Sequence, residues 1–495
     1  MSQVKSITTR SGILFIGKII DAFFMFMFNF LAAKYIGAEG YGTYVYISTL
    51  VMFLSIAIKM GMDHGLTALI PGMKDINQEK ELVSFSVYFL LGISVVLGLI
   101  FFVSSEFVSR TLLNNVHLES ALRLFLPLIF PIAFVQMSEG IFRTIGGIKH
   151  FFFSKNILMP ISLVAFFLVR VIMFDENTLE TLIYSNYFAW SLNVAYLLGI
   201  LIHRKILVFL KYENKVLYKR LLVISIPLIL VGLIEFLMGR IDAYVIGYQL
   251  TESDVGVYSI VDKLAYIGNF MFIAGGSMMA PVLARYYSEK DFKNLKQTYF
   301  DVNRWILMIN TAVFGGLILL GHEVLALFGP EFIIGDRVLY ALAFAQLINA
   351  FFGPLTFLNA MVGLEKIEWR IGFSMLLVNG ILDILVVKTY GIIGIAYVSV
   401  LIYLIGNLIR MQWFKRAFGV SLIALNGLKV IAVGILAYLP MKWLLEHNPF
   451  TGFLSTFILF GMGFMVLYLI LVWIIVLSRE DKVTICKAIT KKQIQ

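Results

Sequence analysis

The sequence has 495 residues, of which 60% are hydrophobic and 14% charged, and its mean hydropathy is +0.90. A soluble domain carries nearly twice that share of charge, so the composition excludes a water-soluble enzyme and specifies an all-α integral membrane protein. The net charge of +10 follows from Lys and Arg held in short inside loops, and gives no reason to invoke nucleic acid as a partner.

Apolar runs of about 20 residues, the length that crosses a hydrocarbon core of about 30 Å, recur from end to end. The first is expected near 11–32. It is too long for a signal-peptide core and contains Lys18 and Asp21, so it stays as a helix. Lys18 and Asp21 are three apart and share a face that Met25 and Asn29 continue, which suits the wall of a wet cavity. The alternative is a Lys18–Asp21 pair that neutralises itself. A Gly-rich loop at 35–44 leads to a second span near 43–62. There Ser48, Ser55 and Lys59 align, with Asp63 one turn beyond Lys59. Snorkelling of Lys59 to the headgroups is the competing explanation.

Four more spans are expected near 82–103, 120–141, 156–174 and 182–202. They carry Gln136 and Glu139, then Arg170, then Asn186 and Asn193. A basic segment at 203–220 follows. It separates an N-terminal six-helix lobe, 1–202, from a C-terminal one, 221–410, with spans near 221–242, 257–279, 305–321, 338–358, 371–387 and 391–409. The seventh helix places Glu235 and Asp242 on one face and Arg240 on another. The eighth aligns Tyr258, Asp262, Tyr266 and Asn269, with Lys263 adjoining. Gln346 and Asn349, Asn379 and Asp383, and Asn407 follow in the tenth to twelfth. A last pair, near 426–440 and 451–477, belongs to an accessory region, 411–495. The total is about fourteen helices, and an even count with this charge bias puts both termini in the cytoplasm.

The two lobes read as a duplication. The loop at 35–44 has a counterpart at 251–258, each an acidic turn, a Gly and a Tyr opening the next helix. Pro71 and Glu79-Lys80 match Pro281 and Glu289-Lys290 about 210 residues later. Six helices per lobe implies a pseudo-two-fold axis along the membrane normal, with a cavity between the lobes.

Other chemistry finds no support. Cys486 is the sole cysteine, His64, His117, His322 and His447 fall in loops without metal-ligand spacing, and no Walker A or dinucleotide fingerprint occurs. The outside loops, around 106–119 and 322–337, are too short for a catalytic domain. The sequence therefore reads as a transporter in the cell membrane, without a cofactor.

Four short motifs between spans carry a resemblance: Gly37-Ala38-Glu39-Gly40-Tyr41-Gly42, Gly61-Met62-Asp63-His64-Gly65, Leu327-Phe328-Gly329-Pro330-Glu331-Phe332 and Tyr390-Gly391-Ile392-Ile393-Gly394. In these, in their order and in the helix count, the chain resembles the polysaccharide-exporter branch of the multidrug/oligosaccharidyl-lipid/polysaccharide superfamily, typified by Wzx-type O-antigen flippases. The resemblance implies translocation of a polyprenyl-pyrophosphate-linked oligosaccharide from the cytoplasmic to the outer leaflet by alternating access, for cell-surface polysaccharide biosynthesis. Membrane lipids and other polysaccharide-assembly membrane proteins are the implied partners.

A pyrophosphate needs cationic donors, which makes Lys18, Lys59, Arg170, Arg240 and Lys263 the headgroup candidates. Asp21, Glu235, Asp242 and Asp262 are what coupling to a proton or sodium gradient requires. Asn29, Asn186, Asn193, Gln346 and Asn349 are candidates for sugar hydroxyls, against the alternative of interhelical hydrogen bonds. Two other functions are weighed. An ion-coupled multidrug cation exporter needs an acidic cavity, and a membrane glycosyltransferase or ligase needs a catalytic outside loop.

Overall fold

The computed structural model describes residues 2–208, 214–419, 422, 426–447, 456–483 and 486, the side chains of 2–16 and 426 excepted. The expectations for 209–213 of the basic segment, for the start of the last span at 451–455 and for most of the tail beyond Val483 lie outside the described residues. The described residues are helical and contain no strand.

Among the described residues, twelve helical stretches are long and apolar enough to cross a membrane. They are α1 (Gly17–Gly72), α2 (Ile76–Val103), α3 (Val116–Thr144), α4 (Ile148–Phe174), α5 (Leu179–His203), α6 (Lys215–Met238), α7 (Glu252–Ser288), α8 (Phe292–Ala326), α9 (Pro330–Met361), α10 (Glu365–Phe418), α11 (Gly427–Glu446) and α12 (Phe457–Val476). The chain is a multi-pass membrane protein. Large apolar side chains face outward along these helices, for example Leu99 of α2, Ile172 of α4 and Leu385 of α10. That is the pattern of a surface solvated by lipid.

The loop expected at 35–44 is helix interrupted by a kink at Gly37, whose φ of 80° is accessible without strain only to a residue lacking Cβ. Gly391, with φ 60°, kinks α10 in the same way. Hydrogen bonding therefore resumes directly beyond each kink, which is why turn-forming residues here do not make a loop. His64 and His322 likewise lie in helices rather than loops.

The chain divides into two compact units, Met1–Val257 and Tyr258–Gln495, with the division inside α7. The sequence assigns α6 to the second lobe, but its residues group with the first unit, where α6 packs on the helix Met62–Leu69. The basic segment between α5 and α6 is tied to α2. Ser84 Oγ accepts from Val208 N at 2.9 Å, and the buried Glu81 carboxylate accepts from Asn214 and from Tyr218 Oη. In the second unit, one apolar core is built from α8, α9, α11 and α12 around Leu307, Phe464 and Tyr468. Another brings Leu283, Tyr299, Leu358 and Phe414 together.

The two motifs that the sequence reads as a repeat touch within the first unit. A Cβ on Gly42 would lie 1.7 Å from Glu252 O, and one on Gly256 would lie 2.1 Å from Ala38 O. Each glycine is thus required by the backbone of the other motif.

Candidate functional site

A charged cavity in the first unit

The first unit holds an open cavity of about 480 Å3 lined from α1, α3, α4 and α6. Its geometry originates in the motif at 61–65. Gly61 adopts φ 66°, which ends the helix through Ile58 and starts a new one at Met62. Gly61 and Gly65 both meet Ser225 of α6, at 2.5 Å from its carbonyl and 2.0 Å from its hydroxyl for a Cβ built on each. A Cβ on Gly140 of α3 would fall 2.3 Å from Asp63 O. Three glycines therefore let α1 lie against α3 and α6 at backbone distance, and this fixes Asp63 and His64 at the cavity wall.

The lining groups form a charge network. Lys59 Nζ donates to Asp63 Oδ2 at 2.6 Å, both side chains 12% exposed, and His64 Nε2 stands 3.7 Å from the same oxygen. Asp63 Oδ1 and Gln136 Oε1 are buried without a hydrogen-bond partner among the described residues. Glu139 accepts from Arg143 at 2.8 Å and lies 3.9 Å from Lys155. Arg143 and Lys155 are 61% and 55% exposed, so these pairs contribute little to stability, about 0–1 kcal/mol, and exchange easily. Glu235 lines the same cavity and makes no ion pair among the described residues. Lys155 sits in the π-helical turn Ser154–Leu158, an irregularity that recurs at functional sites. Asp21 lies within electrostatic reach of Lys155 and Lys18, which connects the first helix to this network.

The sequence-derived candidates distribute unevenly about the cavity. Lys59 and Glu235 line it, and Lys18 and Asp21 adjoin it through Lys155. Arg170 does not. It closes α4 by pairing with Glu176, with its guanidinium 5.8 Å from the Phe174 ring and 5.5 Å from that of Tyr184. Arg240 caps the helix Ile241–Gln249, acts electrostatically on Tyr44, and makes no ion pair among the described residues. Asp242 follows it in the first helical turn, half-buried. Asp262 and Lys263 belong to the second unit, Asp262 beside Tyr266 and Lys263 donating to Ser259 O at 3.3 Å.

The amide candidates make hydrogen bonds with protein partners. Asn29 accepts from Tyr41 at 2.7 Å across the Gly37 kink, Asn186 donates to Tyr44 Oη at 3.1 Å, and Asn193 accepts from Ser154. Gln346 reaches Tyr403 at 3.5 Å, and Asn349 accepts from Asn407 at 3.1 Å. In hydrocarbon an unpaired amide is costly, so a neighbouring helix is its natural partner. Sequence reasoning missed Arg143 and Lys155 as cavity cations. The signal for the first was present in Gln136, Glu139 and Arg143, spaced three and four along one helix face, whereas nothing local marks Lys155.

Relatives and structural neighbours

Residues 5–333 match the family described as "Polysaccharide biosynthesis protein". The chain belongs to that family. Among curated relatives, it is 22% identical over 217 residues to the "Probable flippase AglR" of Haloferax volcanii, covering 41% of this chain and 45% of the relative. The match thus spans less than half of AglR. A "Putative O-antigen export protein" of Yersinia pseudotuberculosis is 22% identical over 392 residues, covering 76% of this chain and 88% of the relative. Among solved structures, "Lipid II flippase MurJ, inward closed conformation" superposes with a TM-score of 0.74 at 15% identity, covering 93% of this chain and 98% of that one. At that identity the likeness establishes the fold.

Proposed function

We propose that the protein is a flippase that carries a polyprenyl-(pyro)phosphate-linked oligosaccharide from the cytoplasmic to the outer leaflet of the cell membrane, by alternating access. The observation that carries this reading is the cavity set among membrane-spanning helices, where Lys59, Arg143, Lys155 and His64 converge. Cations inside a membrane domain are expensive and are retained for a ligand or a partner. Three carboxylates, Asp63, Glu139 and Glu235, balance the three permanent cations of the lining. The phosphate therefore enters by exchange: its oxygens replace Asp63 and Glu139 on Lys59, Arg143 and Lys155, and the released carboxylates take up protons or sodium. Arg143 supplies the planar fork suited to phosphate, which Lys59 lacks. The names of the relatives, a flippase and an O-antigen export protein, agree with this reading.

α1 and α10 are 56 and 54 residues long, about 80 Å of helix each, against about 30 Å of hydrocarbon. Each is proposed to cross twice about its glycine kink, which gives fourteen spans with both termini cytoplasmic. The glycines of the two similar motifs, Gly42 and Gly256, each lie against the backbone of the other motif, which is in keeping with a repeat.

Glu235, acidic and without an ion pair among the described residues, favours a second reading as a cation exporter. Reconstitution in liposomes separates the two. A labelled lipid-linked oligosaccharide placed in one leaflet is expected to reach the other only in protein-containing vesicles. Efflux of cationic dyes without lipid movement would replace the first reading with the second.

A further inference from the structure

A second concavity in the first unit, about 300 Å3, lies between α2 and α3. Val95, Leu99 and Phe102 form one wall and Leu126, Ile129 and Phe130 the other, and no charged residue lines it. Val95 and Leu99 are more than half exposed, and a Cβ on Gly98 would meet nothing within 4 Å, so the groove is open along its length. Beyond Phe102 it ends at Arg123, whose guanidinium stands 5.6 Å from the Phe102 ring and pairs with Glu119 at 2.7 Å.

The groove and the charged cavity share a helix. α3 presents Leu126 to Phe130 to the groove and Gln136 to Arg143 to the cavity. Phe130 and Arg143 are thirteen residues apart, about 20 Å of helical rise. Between them α1 packs against α3, with Ser55 Oγ donating to Ile129 O at 3.4 Å and the next residue, Ile56, lining the cavity. A charged pocket at one end of α3 and an uncharged trough along its middle match an amphiphile with an anionic head and a long chain.

We infer that the groove between α2 and α3 holds the hydrocarbon chain of the lipid whose phosphate occupies the Lys59–Arg143–Lys155 cavity. This rests on the flippase reading and extends it to the lipid carrier. The head is recognised electrostatically, and the chain adds affinity through close van der Waals packing in the groove, since lipid tails are as apolar as its walls and provide no hydrophobic drive. Selection then acts on chain length as well as on phosphate, which lets one site hold a carrier while leaving its sugar portion unread.

The test uses the full-length protein in nanodiscs, with undecaprenyl pyrophosphate as the long-chain probe and farnesyl pyrophosphate as the short one. Gly98→Trp fills the groove at a position with room for the side chain, and Gly98→Ala serves as the control. The expected result is a loss of about tenfold in affinity for the long probe with Gly98→Trp, as its packing contacts in the groove are displaced, no change for the short probe, and wild-type behaviour in the control. Unchanged binding of both probes, or equal weakening of both, overturns the groove assignment while the cavity reading stands. Wild-type protein that binds neither probe overturns both. A photo-cross-linker at Leu99 should capture the long probe. Capture of bulk phospholipid that added long probe does not reduce would show an ordinary lipid contact and also overturn the inference.

Discussion

Replacing Lys59 by Ala and Asp63 by Asn should move phosphate affinity in opposite directions. The 2.6 Å pair between them is 12% exposed on each side, so each group depends on the other for its solvation. Lys59→Ala removes one charge-assisted donor to the ligand, a loss of about 1.5–3 kcal/mol, or roughly ten- to a hundredfold in affinity. Asp63→Asn removes the carboxylate that competes with phosphate for Lys59, so binding is expected to tighten by up to about tenfold. Misfolding cannot produce this pattern, since it weakens binding in both variants. Titration of undecaprenyl pyrophosphate into each protein in nanodiscs reads the effect directly. Equal weakening in both variants, or no change in Lys59→Ala, would refute counterion exchange at this pair.

The same structure sets further outcomes. Gly42→Ala forces a Cβ to 1.7 Å from Glu252 O and should destabilise the fold by about 1–3 kcal/mol, whereas Gly98→Ala has open space; thermal unfolding in detergent compares them. Glu368 and Arg410 form a partly buried pair at 2.5 Å, so Glu368→Gln should cost about 1–3 kcal/mol in the same assay, by removing the charge that the guanidinium faces. Burial pushes the Asp481 carboxyl up, but the Ser478 hydrogen bonds and the Arg304 charge outweigh it and hold it below the usual carboxylate range. That stabilisation is complete above the unfolded value, about 3.9, and is lost as pH falls below it through the depressed folded value. An environment-sensitive dye on Cys486, the sole cysteine and exposed, should respond below about pH 4 in wild type, and the step should be missing in Asp481→Asn.

Helical membrane architecture was legible because each span must satisfy its backbone internally and advertise an apolar surface. Connections were less so: Gly37 looked like part of a loop, since turn residues and a helix kink use the same left-handed glycine. The Lys59–Asp63 pair is visible in the four-residue spacing, and the motif at 61–65 was singled out. Its purpose, bringing α1 against Ser225 of α6 and Asp63 against Gly140 of α3, depends on contacts far apart in sequence. Lys155 entered the site for the same reason, through packing that no local pattern encodes. Arg170 shows the converse: an intramembrane cation that looked functional finds Glu176 and two aromatic rings at its own helix end.

The most direct test of the central claim compares two lipids in liposomes containing the purified protein: a labelled polyprenyl-pyrophosphate oligosaccharide and an analogue with the same chain and sugar joined by an uncharged linker. Recognition through Lys59, Arg143 and Lys155 requires that the charged lipid cross to the opposite leaflet while the neutral analogue stays. Equal rates for both would contradict an electrostatic headgroup site in this cavity.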